Sequence, residues 1–144
     1  MKLISTSFVT KLNIKICLQE GNGSHCYDPG KIDSALHTAF YPGSYPFAHG
    51  GVSTIAGALA FYLTNAHAFL DGNKRTAVTS SLVYMRLNGL DLQFPEDPDA
   101  LADTIEGCAA GNLDLDDVKK WYEVHKVTFC TDHKTEERRL KNGF

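Results

Sequence analysis

Apolar residues along this chain recur mostly at intervals of three, four and seven, the period of helices packed on one face. Between Thr6 and Gln19 that face carries Phe8, Val9, Leu12, Ile16 and Cys17, and Gly21 and Gly23 break the pattern. Asp28-Pro29 pairs a capping side chain with proline at a first helical position, which predicts a second helix burying Ile32, Ala35, Leu36 and Ala39. A long helix opens at Ser53, with Val52, Ile55, Ala56, Leu59 and Leu63 on its inner face, and should end near Asn65 to His67. Its small residues, Ala56, Gly57, Ala58 and Ala60, allow neighbouring helices to approach closely. The next runs from about Asn73 to Leu87, with Val78, Leu82, Met85 and Leu87 partly buried, and stops at Asn88-Gly89. LDLQFPEDPD reads as a loop with at most a short extended piece. Asp97-Pro98 repeats the cap-plus-proline signal for a helix carrying Leu101, Ile105 and Cys108 and ending near Gly111. Asp114 and Asp117 open a last helix bearing Val118, Trp121, Tyr122 and Val124. Five or six helices with almost no strand pattern predict an all-α, single-domain bundle over residues 1–127. Residues 128–144 are charged and poorly periodic and read as a tail.

Composition narrows the function classes. The 144 residues are 43% hydrophobic, enough for a core and too many for a disordered chain. The formal net charge of −3 argues against direct DNA binding, which needs an excess of Lys and Arg over the phosphates. No apolar run approaches the ~18–20 residues that cross a bilayer. The start, MKLISTSFVTKL, lacks the apolar stretch of a secretory signal. Cys17, Cys26, Cys108 and Cys130 form no C-x-x-C pair, so free thiols in a reducing cytoplasm are expected, with Cys17 and Cys108 in the core. His25-Cys26 has no second ligand pair at a suitable spacing, which argues against a metal site there.

The segment YPGSYPFAHGG, Tyr41 to Gly51, cannot be helix, because Pro42 and Pro46 remove the needed amides and Gly43, Gly50 and Gly51 favour turns. It is either a plain connection or a flap, Tyr45, Pro46, Phe47, Ala48 and His49, whose backbone edge docks another chain by strand addition.

The chemistry concentrates in HAFLDGNKRTA, between the two central helices. The first amides of a helix have no partner within it, and the macrodipole adds partial positive charge there. Gly72 permits a tight turn and close approach of a ligand, so Gly72, Asn73, Lys74 and Arg75 form an anion seat. Arg75 can fork two hydrogen bonds onto phosphate, while Lys74 is a point charge. A polyphosphate commonly brings Mg²⁺, a hard cation that suits the Asp71 carboxylate. An imidazole exchanges protons near neutral pH, which makes His67 a candidate base for a hydroxyl. Phe69 would pin the loop to the core, and Asn73 could orient it. Singly, each residue has a bland reading: a structural histidine, an Asp-Gly-Asn turn, a solvated Lys-Arg pair. Their clustering at one helix start favours a phosphate site.

HAFLDGNKRTA resembles the signature of the Fic/Doc (Fido) superfamily, His-x-Phe-x-Asp/Glu-Gly-Asn-Gly/Lys-Arg, at His67, Phe69, Asp71, Gly72, Asn73, Lys74 and Arg75. DPGKIDSAL, LVYMRLNG and AAGNLDLDDVKKWYEVH are similar to segments of its Doc (death on curing) branch. The resemblance implies an all-α Fic/Doc-type bundle of about six helices with a flap. It implies a toxin of a toxin–antitoxin pair that binds ATP and Mg²⁺ and transfers a phosphoryl group to a protein hydroxyl, a threonine of elongation factor Tu, halting translation. In that frame His67 is the base, Asp71 holds Mg²⁺, and Gly72 to Arg75 cradle the phosphates. The alternatives are AMP transfer (AMPylation), general in the wider family, and a catalytically silent Fido-fold binding module. AMP-transferring members usually carry a second arginine where this chain has Val78, which tilts the reading to phosphoryl transfer. Ala68 and Ala66 replace a frequent proline and asparagine around His67. The inhibitory pattern Ser/Thr-x-x-x-Glu-Gly/Asn is missing; its nearest fragment, ADTIEG, has Ala102 at the hydroxyl position. Inhibition is therefore expected in trans, by a blocking helix from a Phd-like antitoxin.

Overall fold

The computed structural model describes residues 2–41, 49–93, 104–107 and 110–128. The helices are α1 (Thr6–Gln19), α2 (Pro29–Phe40), α3 (Val52–Ala66), α4 (Asn73–Leu87) and α5 (Leu115–His125), with a further helical turn at 104–107. The protein is mostly helical, the expected all-α architecture.

The helix starts follow local chemistry. Ser5 accepts from the Phe8 amide at 3.1 Å to cap α1. Asp28 accepts from the Gly30 amide at 2.9 Å ahead of Pro29 in α2. Asp114 and Asp117 form a reciprocal capping box at α5, with bonds of 2.9 and 3.1 Å. At the end of α4, Gly89 takes φ +82°, and Asn88 Nδ2 returns to the Tyr84 carbonyl at 2.8 Å.

Helix α3 is the central element, packed against α2, α4 and α5. Nine of its residues are buried, from Ser53 through Thr64, because its small side chains let three helices surround it. Gly57 marks the tightest approach: a Cβ there would lie 2.9 Å from Lys119 Cα of α5. Gly57→Ala should therefore destabilise the fold. Overpacking against backbone costs roughly 1–3 kcal/mol, which outweighs the ~1 kcal/mol helix gain over glycine. A thermal midpoint equal to or above that of the unmodified chain would contradict this packing.

Several expectations change. Val124, placed on the last helix with Val118 and Tyr122, is 68% exposed. At ~100° per residue it stands about 240° around from Val118, off the face that Val118 and Tyr122 bury. Leu87, expected partly buried, is exposed in the last turn of α4. A two-stranded antiparallel pair also forms, β1 (Leu90–Leu92) with β2 (Lys126–Thr128), in the register Leu90↔Thr128, Asp91↔Val127, Leu92↔Lys126. It ties the exit of α4 to the exit of α5. The Asp97-Pro98 cap, Leu101 and Cys108 lie outside the described residues, while Ile105 is buried. Cys17 is a buried free thiol, as expected of a small core residue. Burial, then the Asp71 and Glu20 charges, push that thiol's pKa up.

Candidate active site between helices three and four

The loop between α3 and α4 is held from two sides. Phe69 is buried in the core, as its pinning role requires. Its neighbours pair with the α1–α2 loop: the Tyr27 amide donates to the Ala68 carbonyl at 2.9 Å, and the Leu70 amide to the His25 carbonyl at 2.8 Å. The resulting bridge sets Cys26 opposite Phe69. Asn73 closes the turn from inside, its Oδ1 accepting from the Phe69 amide at 3.0 Å and its Nδ2 donating to the Phe69 carbonyl at 2.8 Å. Of the two roles open to the Asn73 side chain, the observed bonds are those of a loop orienter.

This frame fixes two left-handed positions. His67 caps α3 with φ 49° and is exposed, not turned into the core. Histidine is among the few side chains enriched in that region. Gly72 precedes α4 with φ 73°. A Cβ on Gly72 would sit 3.2 Å from Asn13 Nδ2 and 3.4 Å from Cys17 Sγ, so α1 is the back wall of the turn. Gly72 offers no side-chain cap, which leaves the first amides of α4 without the usual capping acceptor.

His67, Asp71, Gly72, Asn73, Lys74 and Arg75 line one cleft of about 350 Å³, completed by Thr64 and Leu70. A larger groove of about 550 Å³ lies between α2 and α3, among Lys31, Ser34, Thr38, Tyr62 and Asn65, and holds none of those six. The smaller cleft has the charges and the imidazole, which makes it the candidate site.

Polar neighbours absent from the sequence reading organise this cleft. Asn13, 0% exposed, donates from Nδ2 to the Asp71 carbonyl at 2.8 Å and to Thr76 Oγ1 at 3.1 Å, while its Oδ1 accepts from Ser24 Oγ at 2.9 Å. A polar residue amid the apolar face of Val9, Ile16 and Cys17 was the available signal. Asp71 Oδ1 accepts from its neighbouring Gly72 amide at 2.8 Å, and Oδ2 from Asn22 Nδ2 at 2.8 Å. Lys74 Nζ donates to Glu106 Oε1 at 2.7 Å, and Arg75 Nη1 pairs with Glu20. Glu106 belongs to ADTIEG, the fragment that lacks the inhibitory hydroxyl. Both pairs are largely exposed, worth about 0–1 kcal/mol each, so a polyphosphate can compete for both cations.

The flap residues Tyr45, Pro46, Phe47 and Ala48 lie outside the described residues. His49 is described and does not line the cleft. Its Nε2 donates to the Thr38 carbonyl at 3.1 Å, and its Nδ1 accepts from Lys119 Nζ at 3.2 Å, anchoring that end of the segment to α2 and α5. Burial first, and the Lys119 charge with it, lower the His49 pKa, against opposing effects of the Thr38 carbonyl and Asp116. Among the described residues no helix is long and apolar enough to cross a membrane.

The donor set fits a triphosphate with Mg²⁺. Each Asp71 oxygen keeps a lone pair beyond its present bond. Among the described residues no group of three or more His, Cys, Asp or Glu converges, and Asp71 is the one carboxylate among the described residues that line the cleft. Mg²⁺ accepts that arrangement, taking its other oxygens from phosphate and water.

Comparison with known proteins agrees with the geometry. Toxin Doc of Mycolicibacterium smegmatis (strain ATCC 700084 / mc(2)155) is 36% identical over 63 residues, which cover 44% of this chain and 48% of the relative. The chain thus spans about half the length of that relative. The model of the Fic/DOC family matches residues 4–85 of the 144, from ahead of α1 into the last turn of α4. That stretch contains the α1 wall, the loop clamp and the run Gly72 to Arg75, and over more than half its length this chain belongs to the Fic/DOC family.

Proposed function

We propose that this chain is the toxin of a toxin–antitoxin pair and transfers the terminal phosphoryl group of ATP to a protein hydroxyl, a threonine of elongation factor Tu, blocking translation. The observation that carries the reading is the uncapped start of α4, with Lys74 and Arg75 on it and His67 and Asp71 beside it in one cleft. We assign the activity to residues 1–127. Similarity to Toxin Doc of Mycolicibacterium smegmatis supports the toxin role, and with it a cognate antitoxin that blocks the cleft in trans.

His67, exposed in the cleft, takes the proton of the target hydroxyl as its oxygen bonds to the terminal phosphorus, the bond from that phosphorus to the bridging oxygen breaks, and ADP leaves. The α4 amides, Lys74 and Arg75 stabilise the charge on the transferring group, the main demand of this chemistry. Asp71, braced by Asn22 and the Gly72 amide, would hold Mg²⁺. When bound, Mg²⁺ neutralises phosphate charge and orients the transfer in line. Lys74 leaves Glu106 and Arg75 leaves Glu20 as the phosphates arrive. Val78, half-buried against the core, puts no cation where AMP-transferring relatives usually have their second arginine, which favours phosphoryl over AMP transfer.

The test uses the full chain, Mg²⁺ and a translating lysate, with ATP labelled in parallel at its terminal or its innermost phosphate. Label should remain on protein from the terminal phosphate only, and the modified protein should gain the mass of a phosphoryl group. Retention of the innermost phosphate establishes AMP transfer instead. No retained label and no calorimetric binding of Mg²⁺–ATP establishes a silent binding module.

A further inference from the structure

We propose that the Thr64 hydroxyl is a further phosphate-binding group of the cleft, an inference that rests on the nucleotide reading above. Thr64 lies in the last turn of α3, three residues before His67, and is 1% exposed. Its Oγ1 has no hydrogen-bond partner among the described residues. A threonine within a helix commonly returns its hydroxyl to a carbonyl three or four residues back. Thr64 does not, although it lines the same cleft as His67, Lys74 and Arg75. An orphaned buried hydroxyl is costly, whereas valine would fill the same shape without a polar atom to satisfy. A ligand that hydrogen-bonds the hydroxyl removes that cost.

The surroundings fix the kind of ligand atom. The cleft walls supply cations and helix-start amides, which attract an anion and leave the hydroxyl to act as a donor. A phosphate oxygen accepts such a bond. Ser80 is the other described buried hydroxyl without a partner, and it does not line this cleft. Thr64 differs from Ser80 in lining the cleft that also holds the proposed base and anion seat.

The experiment titrates the full chain calorimetrically with Mg²⁺–ATP and follows thermal unfolding without nucleotide, for the unmodified protein, Thr64→Val, Thr64→Ser and Ser80→Ala. Thr64→Val should bind ~10–100-fold more weakly, the loss expected for a hydrogen bond to a charged group. Its midpoint without nucleotide should be equal or higher, because an unsatisfied hydroxyl has gone. Thr64→Ser should bind within a few-fold of the unmodified chain, and Ser80→Ala should bind as tightly as it does. Unchanged affinity in Thr64→Val overturns the Thr64 assignment alone. So does weakened binding accompanied by a lowered midpoint and not restored by serine, which marks a packing role. No binding by the unmodified protein overturns both this inference and the nucleotide reading.

Discussion

His67→Ala is expected to keep the helical fold and to slow protein modification by roughly 10²–10⁴-fold, the usual contribution of a positioned base. The fold survives because His67 is exposed and lies beyond the last residue of α3, so truncation opens no cavity. One complication is the backbone: at φ 49°, alanine is placed in the left-handed region at a cost of about 1–2 kcal/mol. His67→Asn separates the two effects, because asparagine tolerates that region but cannot take a proton at neutral pH. Both variants should be equally inactive while Asn keeps the midpoint of the unmodified chain. Either one modifying the target at the original rate would remove His67 from the chemistry. If activity followed the midpoint, returning with Asn and lost with Ala, His67 would be a shape-setting cap and not a base.

The helices were readable in the sequence because their signals are local. Asp28-Pro29, Asp114 with Asp117, and Asn88-Gly89 each act within a few residues of the ends they mark, and the structure uses all three. The proposed anion seat was legible for a similar reason: Gly72, Asn73, Lys74 and Arg75 are consecutive, and with His67 and Asp71 they line one cleft. The short extended piece in LDLQFPEDPD was legible, but three residues carry no sign of a partner, so the pairing of Leu90–Leu92 with Lys126–Thr128 was not. The braces of the cleft are nonlocal. Asn22 reaches Asp71 across 49 positions, Arg75 meets Glu20 across 55, and Lys74 meets Glu106 across 32. A sequence shows the candidate chemical residues more readily than those that hold them. The first cluster on a loop; the second are single polar residues scattered over other elements.

Asn13 is the sharpest example, and Asn13→Ala should cost roughly 2–4 kcal/mol of stability. Thr76 is buried beside it, and Ser24 and the Asp71 carbonyl lose their partner with it. Each buried polar group left unsatisfied costs about 1–3 kcal/mol. Water can reach the half-buried Asp71 carbonyl, which keeps the total below the sum. In urea the midpoint should fall with the slope unchanged. The functional consequence is separable. The same amide holds the Asp71 carbonyl and, through Thr76, the first turn of α4, so it fixes Asp71 relative to the α4 amides. Removing it frees that spacing without touching any group proposed to contact phosphate. Mg²⁺–ATP affinity should then drop at temperatures where the variant remains fully folded. Full affinity in the folded variant would mean that Asn13 stabilises the packing of α1 on α4 and leaves the seat indifferent to it. Weakened affinity would mean that the anion seat needs α1 as its back wall, and that the first helix, far from the motif in sequence, is part of the working site.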